Sequence, residues 1–597
     1  MVSAKYSVNN QQLEILFSWI KTNEIAIPEI QRPFVWNSTK VRDLIDSLYQ
    51  GYPIGYLITW KNPDVKLKNG TTSEGKKILI DGQQRITALT TAILGEPILN
   101  SDYKKTTIKI AFNPMDERFE VQNPAILKDV SWIPDISPII REDIRITQVI
   151  RDYLKNNPSA NPGKIEDVLG DLKDIQKKIV GLIELGPDLD IETVTEIFIR
   201  INSKGVELSQ ADFAMSKIAS NEKYSGSTIR KAIDYFCHLA ITPEFYKILK
   251  NADKDFSESE YFQKMSWLKN ENDDLYDPDY KDLIRVVFTY KFNRGRLSDL
   301  VSLLSGRNFE KRTYEEPIAK KSFETLKQGI LEFMNETNFK RFLMIINSAG
   351  FVDKSLIRSQ NVLNFAYALY LKLKEDGYPS KDVERYVKRW FVMSILTGRY
   401  SGSSETRFDF DIKRINEGKI ENFLDEIEKA ELSEAFWDAS LIQGLDTSIA
   451  SSPYFNVFLA SQVKANNKGF LSKDITIRDM IKHRGDVHHV YPKEFLKSKG
   501  LERRQYNQIA NYVFLQQEIN IKIGKKDPIK YFNEVNEQVS GGARVYGSID
   551  LKEDLLKNFR QNCIPIELLD GELSYEEFLE KRRKLISQKI KKYYFSL

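Results

Sequence analysis

The sequence predicts a multidomain α+β protein, on three observations. The chain is 597 residues long, more than one hydrophobic core supports. Its first third mixes strand-like runs with short amphipathic helices, whereas residues from about 211 to 435 keep helical spacing almost throughout. Three of its four histidines, His483, His488 and His489, then fall within seven residues, and a strand-like run follows them. Length alone suggests roughly three or four domains. The pattern divides as 1–215, a helical linker or scaffold at 216–445, and 446–597.

Composition narrows the class. A hydrophobic content of 41% with 29% charged residues is that of a soluble globular protein. No apolar run approaches the ~20 residues a membrane span needs, and the N-terminus has no signal-peptide pattern. Cys237 and Cys563 match no zinc or redox spacing, so a reducing cytoplasm is the expected compartment. A net charge of +4 does not by itself argue for nucleic acid. Seven cations gather at Lys581, Arg582, Arg583, Lys584, Lys589, Lys591 and Lys592. They read either as a phosphate-tracking face or as a solvated helix.

In chain order, residues 8–22 have the spacing of an amphipathic helix, with Leu13, Leu16 and Ile20 on one side. Next comes Ile27-Pro28-Glu29-Ile30-Gln31-Arg32-Pro33-Phe34-Val35-Trp36, where two prolines favour an extended, rigid turn. Asn37 or Ser38 caps a helix over 40–49, and strands follow at 55–60 and 77–80. Residues 70–77 come close to a P-loop, but Lys77 stands where a hydroxyl is required and a strand follows where a helix should begin. The second strand ends in Asp81-Gly82-Gln83-Gln84-Arg85, ahead of a helix at 86–94. That turn suits a phosphate. Glycine allows the chain to fold tightly, the helix start favours an anion, and Arg85 adds a bidentate donor. Gln83 and Gln84 add further bonds, and Asp81 either holds a metal or orients Arg85. Gln31 and Arg32 fit the same site. A strand–turn–helix with no ligand is the plain alternative.

These residues, IPEIQRPFVW and ILIDGQQRITAL, resemble the DUF262 domain, the N-terminal half of GmrSD-like Type IV restriction enzymes. The resemblance implies a ParB/sulfiredoxin-like fold that binds a nucleoside triphosphate, with GTP, UTP, CTP and ATP undistinguished, and NTPase activity. The block at 197–209 fits the same family. Asn202 and Lys204 then border the nucleotide or the DNA, or the block is a simple helix–turn–helix connection. Between these motifs, a strand is expected at 106–112 and a helical run at 164–183. The middle third shows helices at 211–219, 229–239, 281–292, 322–334, 359–375 and 382–396, with His238 on an apolar face as a core residue.

After helices at 454–464 and 474–482 comes the second constellation: Asp486, His488, His489 and Pro492, then Asn511 opening an apolar run, then Asn520. This order suits a ββα-metal (HNH) hairpin. His489 is the general base, since imidazole titrates near working pH. His488 or Asp486 ligates the metal, Asn520 adds an amide oxygen, and Asn511 bonds the loop and orients His489. Lys493, Lys497, Lys499, Arg503 and Arg504, with Lys525 and Lys526, would face phosphates. A structural zinc site lacks the cysteines it needs. The set resembles the DUF1524 domain of the same enzymes over about 480–535, although His488 replaces a common acidic residue and Asn520 a histidine.

Together the resemblances imply a modification-dependent, nucleotide-regulated DNA endonuclease of anti-phage defence. They imply Mg or Mn, modified phage DNA as partner and no membrane, and they allow a homodimer. A ParB-like DNA clamp without nuclease activity and a modification-blind nuclease toxin are the alternatives. Aromatic residues near the first motif (Phe34, Trp36, Tyr52, Tyr56) would either stack on a base or belong to the core.

Overall fold

A computed structural model describes residues 5–597 except 23, 27–35, 62–76, 100–104, 187, 188, 190–192, 195, 196, 198–209, 222, 272–274, 484, 486 and 572. The fold is mixed α+β, mostly helical with small sheets. It divides into two compact units, Met1–Arg230 and Lys231–Leu597. The second unit runs across the expected 445/446 boundary. Among the described residues, no helix is long and apolar enough to cross a membrane, and both cysteines are buried free thiols.

The first unit is built on strands β1 (Tyr6–Gln12), β2 (Ile25–Ala26), β3 (Leu57–Lys61) and β4 (Lys77–Asp81). Short hairpins β5 (Ile98–Leu99) with β6 (Lys105–Thr106), and β7 (Ile110–Asn113) with β8 (Arg118–Val121), precede β9 (Ile179–Leu185). The main sheet has the order β1-β9-β3-β4-β2. β1 runs antiparallel to β9 and β3 parallel to it; β4 is antiparallel to β3, and β2 parallel to β4. Two expected helices are therefore partly strand. Residues 8–12 belong to β1, and helix α1 begins at Leu13 (Leu13–Lys21). The run expected at 164–183 ends as a helix at Lys173, and its last residues pair in β9. Helix α2 (Ser38–Tyr49) starts where Asn37 Oδ1 accepts the Lys40 amide at 2.9 Å. It buries Val41, Leu44, Ile45 and Leu48 in the unit's core.

The second unit gathers around helix Gln360–Glu375, which is buried at every position from Val362 to Leu373. A helix apolar on all sides belongs at the centre of a bundle, and helices Tyr280–Phe292 and Ser380–Leu396 pack on it. The last helix, Tyr575–Phe595, opens with a capping box between Ser574 and Glu577 and buries Phe578, Ile586, Ile590 and Tyr594. It is neither a solvated helix nor a uniform phosphate-tracking face. Arg582 is 1% exposed, Lys589 donates to Asn467 Oδ1 and to the Gln561 carbonyl, and Arg583 pairs with Asp446 at 2.6 Å.

A buried ion pair ties the bundle. Arg399 holds Asp411 through Nε and Nη2 at 2.7 and 2.6 Å, with 2% and 0% of the two side chains exposed. Tyr400 also donates to this carboxylate. Replacing Arg399 with Met strands the Asp411 charge, and the expected loss is about 3–5 kcal/mol. Urea unfolding of the full chain, followed by tryptophan fluorescence, measures it; an unshifted midpoint would refute the assignment.

Candidate functional site

Two groups of residues read as functional from the sequence can be built up from the fold, one in each unit. In the first, β4 ends at Asp81 and Gly82 turns the chain with φ +96° and ψ 9° into helix α3 (Gln83–Ala92). Glycine takes that left-handed conformation at no steric cost. A Cβ there would also lie 2.3 Å from Leu57 Cδ2. Gly55, at φ +86°, approaches from the other side, where a Cβ would meet Arg85 Nη1 at 2.5 Å. Arg85 lies between the two glycines. Its Nη1 donates to the Ile54 carbonyl at 3.0 Å and its Nη2 to Asp81 Oδ2 at 2.8 Å.

Asp81 thus orients Arg85, and Gln83 and Gln84 form the first turn of α3. Tyr52 and Tyr56 are exposed at 64% and 53%, and the Tyr56 ring covers Gly181. Trp36 packs against the core of this unit. Gln31, Arg32, Phe34, Asn202, Lys204 and most of the P-loop-like stretch lie outside the described residues.

In the second unit, β10 (Val487–His489) pairs antiparallel with β11 (Tyr512–Phe514), with His488 opposite Val513 and His489 opposite Tyr512. Helix Gln517–Ile523 follows and carries Asn520. Strand geometry sends the His488 and His489 side chains to opposite faces. The His489 imidazole stands edge-on to the Tyr512 ring, centroids 5.1 Å apart, and its Nε2 bonds Asn507 Oδ1 at 3.0 Å. An amide oxygen only accepts, so the neutral ring carries its proton on Nε2 and leaves Nδ1 as the acceptor. Burial lowers the His489 pKa below its ordinary 6.5. The Asn507 bond opposes that shift, while Lys493 and His488 add to it. The ring is therefore neutral at neutral pH.

Asn511 is fully buried. Its Oδ1 accepts the Tyr491 amide at 2.8 Å, and its Nδ2 donates to the carbonyls of Tyr491 at 3.1 Å and Tyr506 at 3.4 Å. Asn507 is the residue the sequence reading did not single out. Its signal was the first asparagine of Asn507-Gln508-Ile509-Ala510-Asn511, four residues ahead of the one chosen.

Lys493, Lys497, Arg503, Arg504 and Lys525 are exposed. Lys497 pairs with Glu494 at 2.9 Å, and Lys493 and Lys497 both approach the Tyr506 ring. Lys526 is taken up by Glu534 and Tyr546. Asp486 lies outside the described residues. Among those described, no group of three or more His, Cys, Asp or Glu is placed to hold a metal ion. The remaining donors, the His488 imidazole and the Asn520 amide oxygen, do not form an all-protein cage.

Comparison with known proteins bears on the first of these groups. Residues 13–219 match the family described as GmrSD restriction endonuclease, N-terminal domain. Over nearly its whole length the chain is similar to an uncharacterized protein of Methanocaldococcus jannaschii, at 24% identity, covering 95% of this chain and 96% of that one. The matched residues 13–219 contain the Arg85 turn and stop short of the β10–β11 hairpin. The N-terminal unit of this chain is thus similar to the N-terminal domain of the GmrSD restriction endonucleases.

Proposed function

We propose that the chain is a DNA endonuclease of a restriction system, with a nucleoside triphosphate bound at the 81–85 turn and phosphodiester cleavage at the β10–β11 hairpin. The observation that carries the nuclease reading is His489: a neutral imidazole, fixed through Nε2 by Asn507, in a strand–strand–helix unit rimmed by exposed cations. The similarity of residues 13–219 to a restriction endonuclease domain supports DNA as the substrate.

In this mechanism His489 Nδ1 takes a proton from a water whose oxygen attacks phosphorus as the bond to the leaving oxygen breaks. Asn507 keeps the ring in the tautomer that can accept it. Lys493, Arg503 and Arg504 draw the phosphate backbone to the hairpin. His488 and Asn520, with Asp486 as the alternative donor, would hold a divalent ion. When bound, that ion supplies positive charge to the phosphate and the leaving oxygen. In the first unit, Arg85 and the start of α3 receive the nucleotide phosphates, and binding there licenses cleavage of modified DNA.

Three measurements test this reading. Replacing His489 with Ala is expected to slow metal-dependent cleavage by about 10²–10⁴-fold while DNA binding persists; undiminished cutting would sink the assignment. The sign of the His489 shift sets the pH dependence. Because its pKa lies below 6.5, kcat/KM should stay level across neutral pH and fall only under acid conditions, as the ring becomes protonated. A decline that begins above neutrality would mean another group is the base.

For the nucleotide site, Arg85→Lys removes a planar fork and about 1.5–3 kcal/mol of charged hydrogen bonding. Calorimetry should then show affinity for the triphosphate about 10–100-fold weaker. Retention of DNA with no cutting of any substrate would instead favour a clamp. Equal cutting of plain and modified DNA would favour a modification-blind nuclease.

A further inference from the structure

We infer that Arg582 is a positioning residue for the His489 site, acting from the last helix by clamping the backbone on both sides of Asn511. Its Nη1 donates to the Ala510 carbonyl at 2.8 Å, and its Nη2 to the carbonyls of Tyr512 at 2.8 Å and Asn562 at 3.2 Å. The inference rests on the nuclease reading for what is positioned, and on geometry alone for the clamp.

Packing does not explain the residue. The side chain is 1% exposed, Nε has no hydrogen-bond partner, and among the described residues no carboxylate lies within ion-pair distance of the guanidinium. Burial pushes its pKa down to about 10, so it remains a cation at neutral pH. A buried cation without a counter-ion is costly relative to an apolar side chain of similar volume. What the cation contributes is a planar fork that two carbonyls two residues apart can share, which an ammonium cannot reproduce.

The two carbonyls bracket Asn511, whose side chain grips Tyr491 by both its N–H and its C=O. Tyr512, one of the two, pairs in register with His489. The same helix reaches the other side of the imidazole through Tyr575, whose hydroxyl donates to the carbonyls of Gln505 at 2.9 Å and Tyr506 at 3.3 Å. Asn507, the partner of His489, follows directly. One helix therefore fixes both the strand beside the base and the segment that orients it. Arg582 touches neither base nor substrate, and the exposed cations that would meet DNA lie elsewhere on the hairpin. Its loss should appear in kcat, because small misplacements of a reacting group are costly, and DNA affinity should stay as it was.

The experiment compares Arg582→Met and Arg582→Lys in the full chain, by cleavage kinetics and by hydrogen exchange read by mass spectrometry. Arg582→Met is expected to lower kcat on the order of 100-fold with KM unchanged, and Arg582→Lys to restore part of it. Exchange should rise in peptides spanning 487–492 and 505–514, and stay slow in helix Gln360–Glu375. Wild-type kcat in both variants would overturn the inference. So would losses of activity that only track the folded fraction, with exchange rising evenly across residues 231–597. If Arg582→Met does not fold, Arg582→Lys and Tyr575→Phe carry the same comparison. If the unaltered chain cuts no DNA, the nuclease reading fails, and the exchange pattern still decides the clamp: a rise confined to the hairpin upholds it, and an even rise overturns it.

Discussion

The buried amide of Asn511 closes the long connection between β10 and β11, and the geometry around His489 follows from it. That connection contains two short helices, Lys493–Ser498 and Arg503–Tyr506, and a turn of 3-10 helix, so its ends meet only at an entropic cost. Asn511 offsets it by using both of its amide hydrogens and its oxygen on backbone groups of Tyr491 and Tyr506. The Val490 amide adds a bond to the Asn511 carbonyl. Because Asn511 is fully buried, each of these bonds is costly to leave unmade. In this arrangement His489 stands opposite Tyr512.

The 81–85 turn handles charge in another way. Arg85 does not wait as an open cation: Asp81 and the Ile54 carbonyl occupy it, in side chains that keep some exposure. A partly exposed pair of this kind contributes only about 0–1 kcal/mol. A polyphosphate bound as proposed would carry more charge than one carboxylate and would also meet the start of α3, so it would compete with Asp81 for the guanidinium. The carboxylate and the Ile54 carbonyl hold the fork in place. The two glycines at positive φ matter because they bring backbone close on both sides, which keeps the guanidinium in one orientation.

Much of this was legible from the residues. The hairpin could be read because adjacent histidines, an asparagine before an apolar run and a second asparagine after it recur at spacings a scaffold does not need. Asn507 was hidden because it bonds through space to a residue 18 positions away, and nothing in its local pattern distinguishes it from Asn511. β1 reads as helix because none of its residues is buried. Tyr6 and Val8 are largely exposed, at 57% and 53%, and the next four residues are polar, so the alternation that marks a strand never develops. β9 likewise begins with an exposed Ile179. In both strands pairing with each other, and not local propensity, decides the structure. Charge at the last helix misleads for a related reason: sequence shows how many cations there are and cannot show that Arg582 and Lys589 find carbonyls inside.

That helix also decides what the helical middle is for. A spacer would leave the hairpin with its own independent support, yet the hairpin takes its support from Tyr575–Phe595, and that helix is anchored in the bundle. Ser587 donates to the Trp437 carbonyl, Tyr593 to the Ala349 carbonyl and Tyr594 to Glu428. Helix Pro453–Lys464, just past the boundary the sequence suggested, packs on both Ser380–Leu396 and the last helix. The carbonyls around Asn511 are therefore held by a rod whose other end sits among residues more than a hundred positions earlier in the chain. Rotation or sliding of the bundle helices would reach the imidazole through Arg582 and Tyr575. The helical region and the hairpin therefore belong to one compact body, Lys231–Leu597.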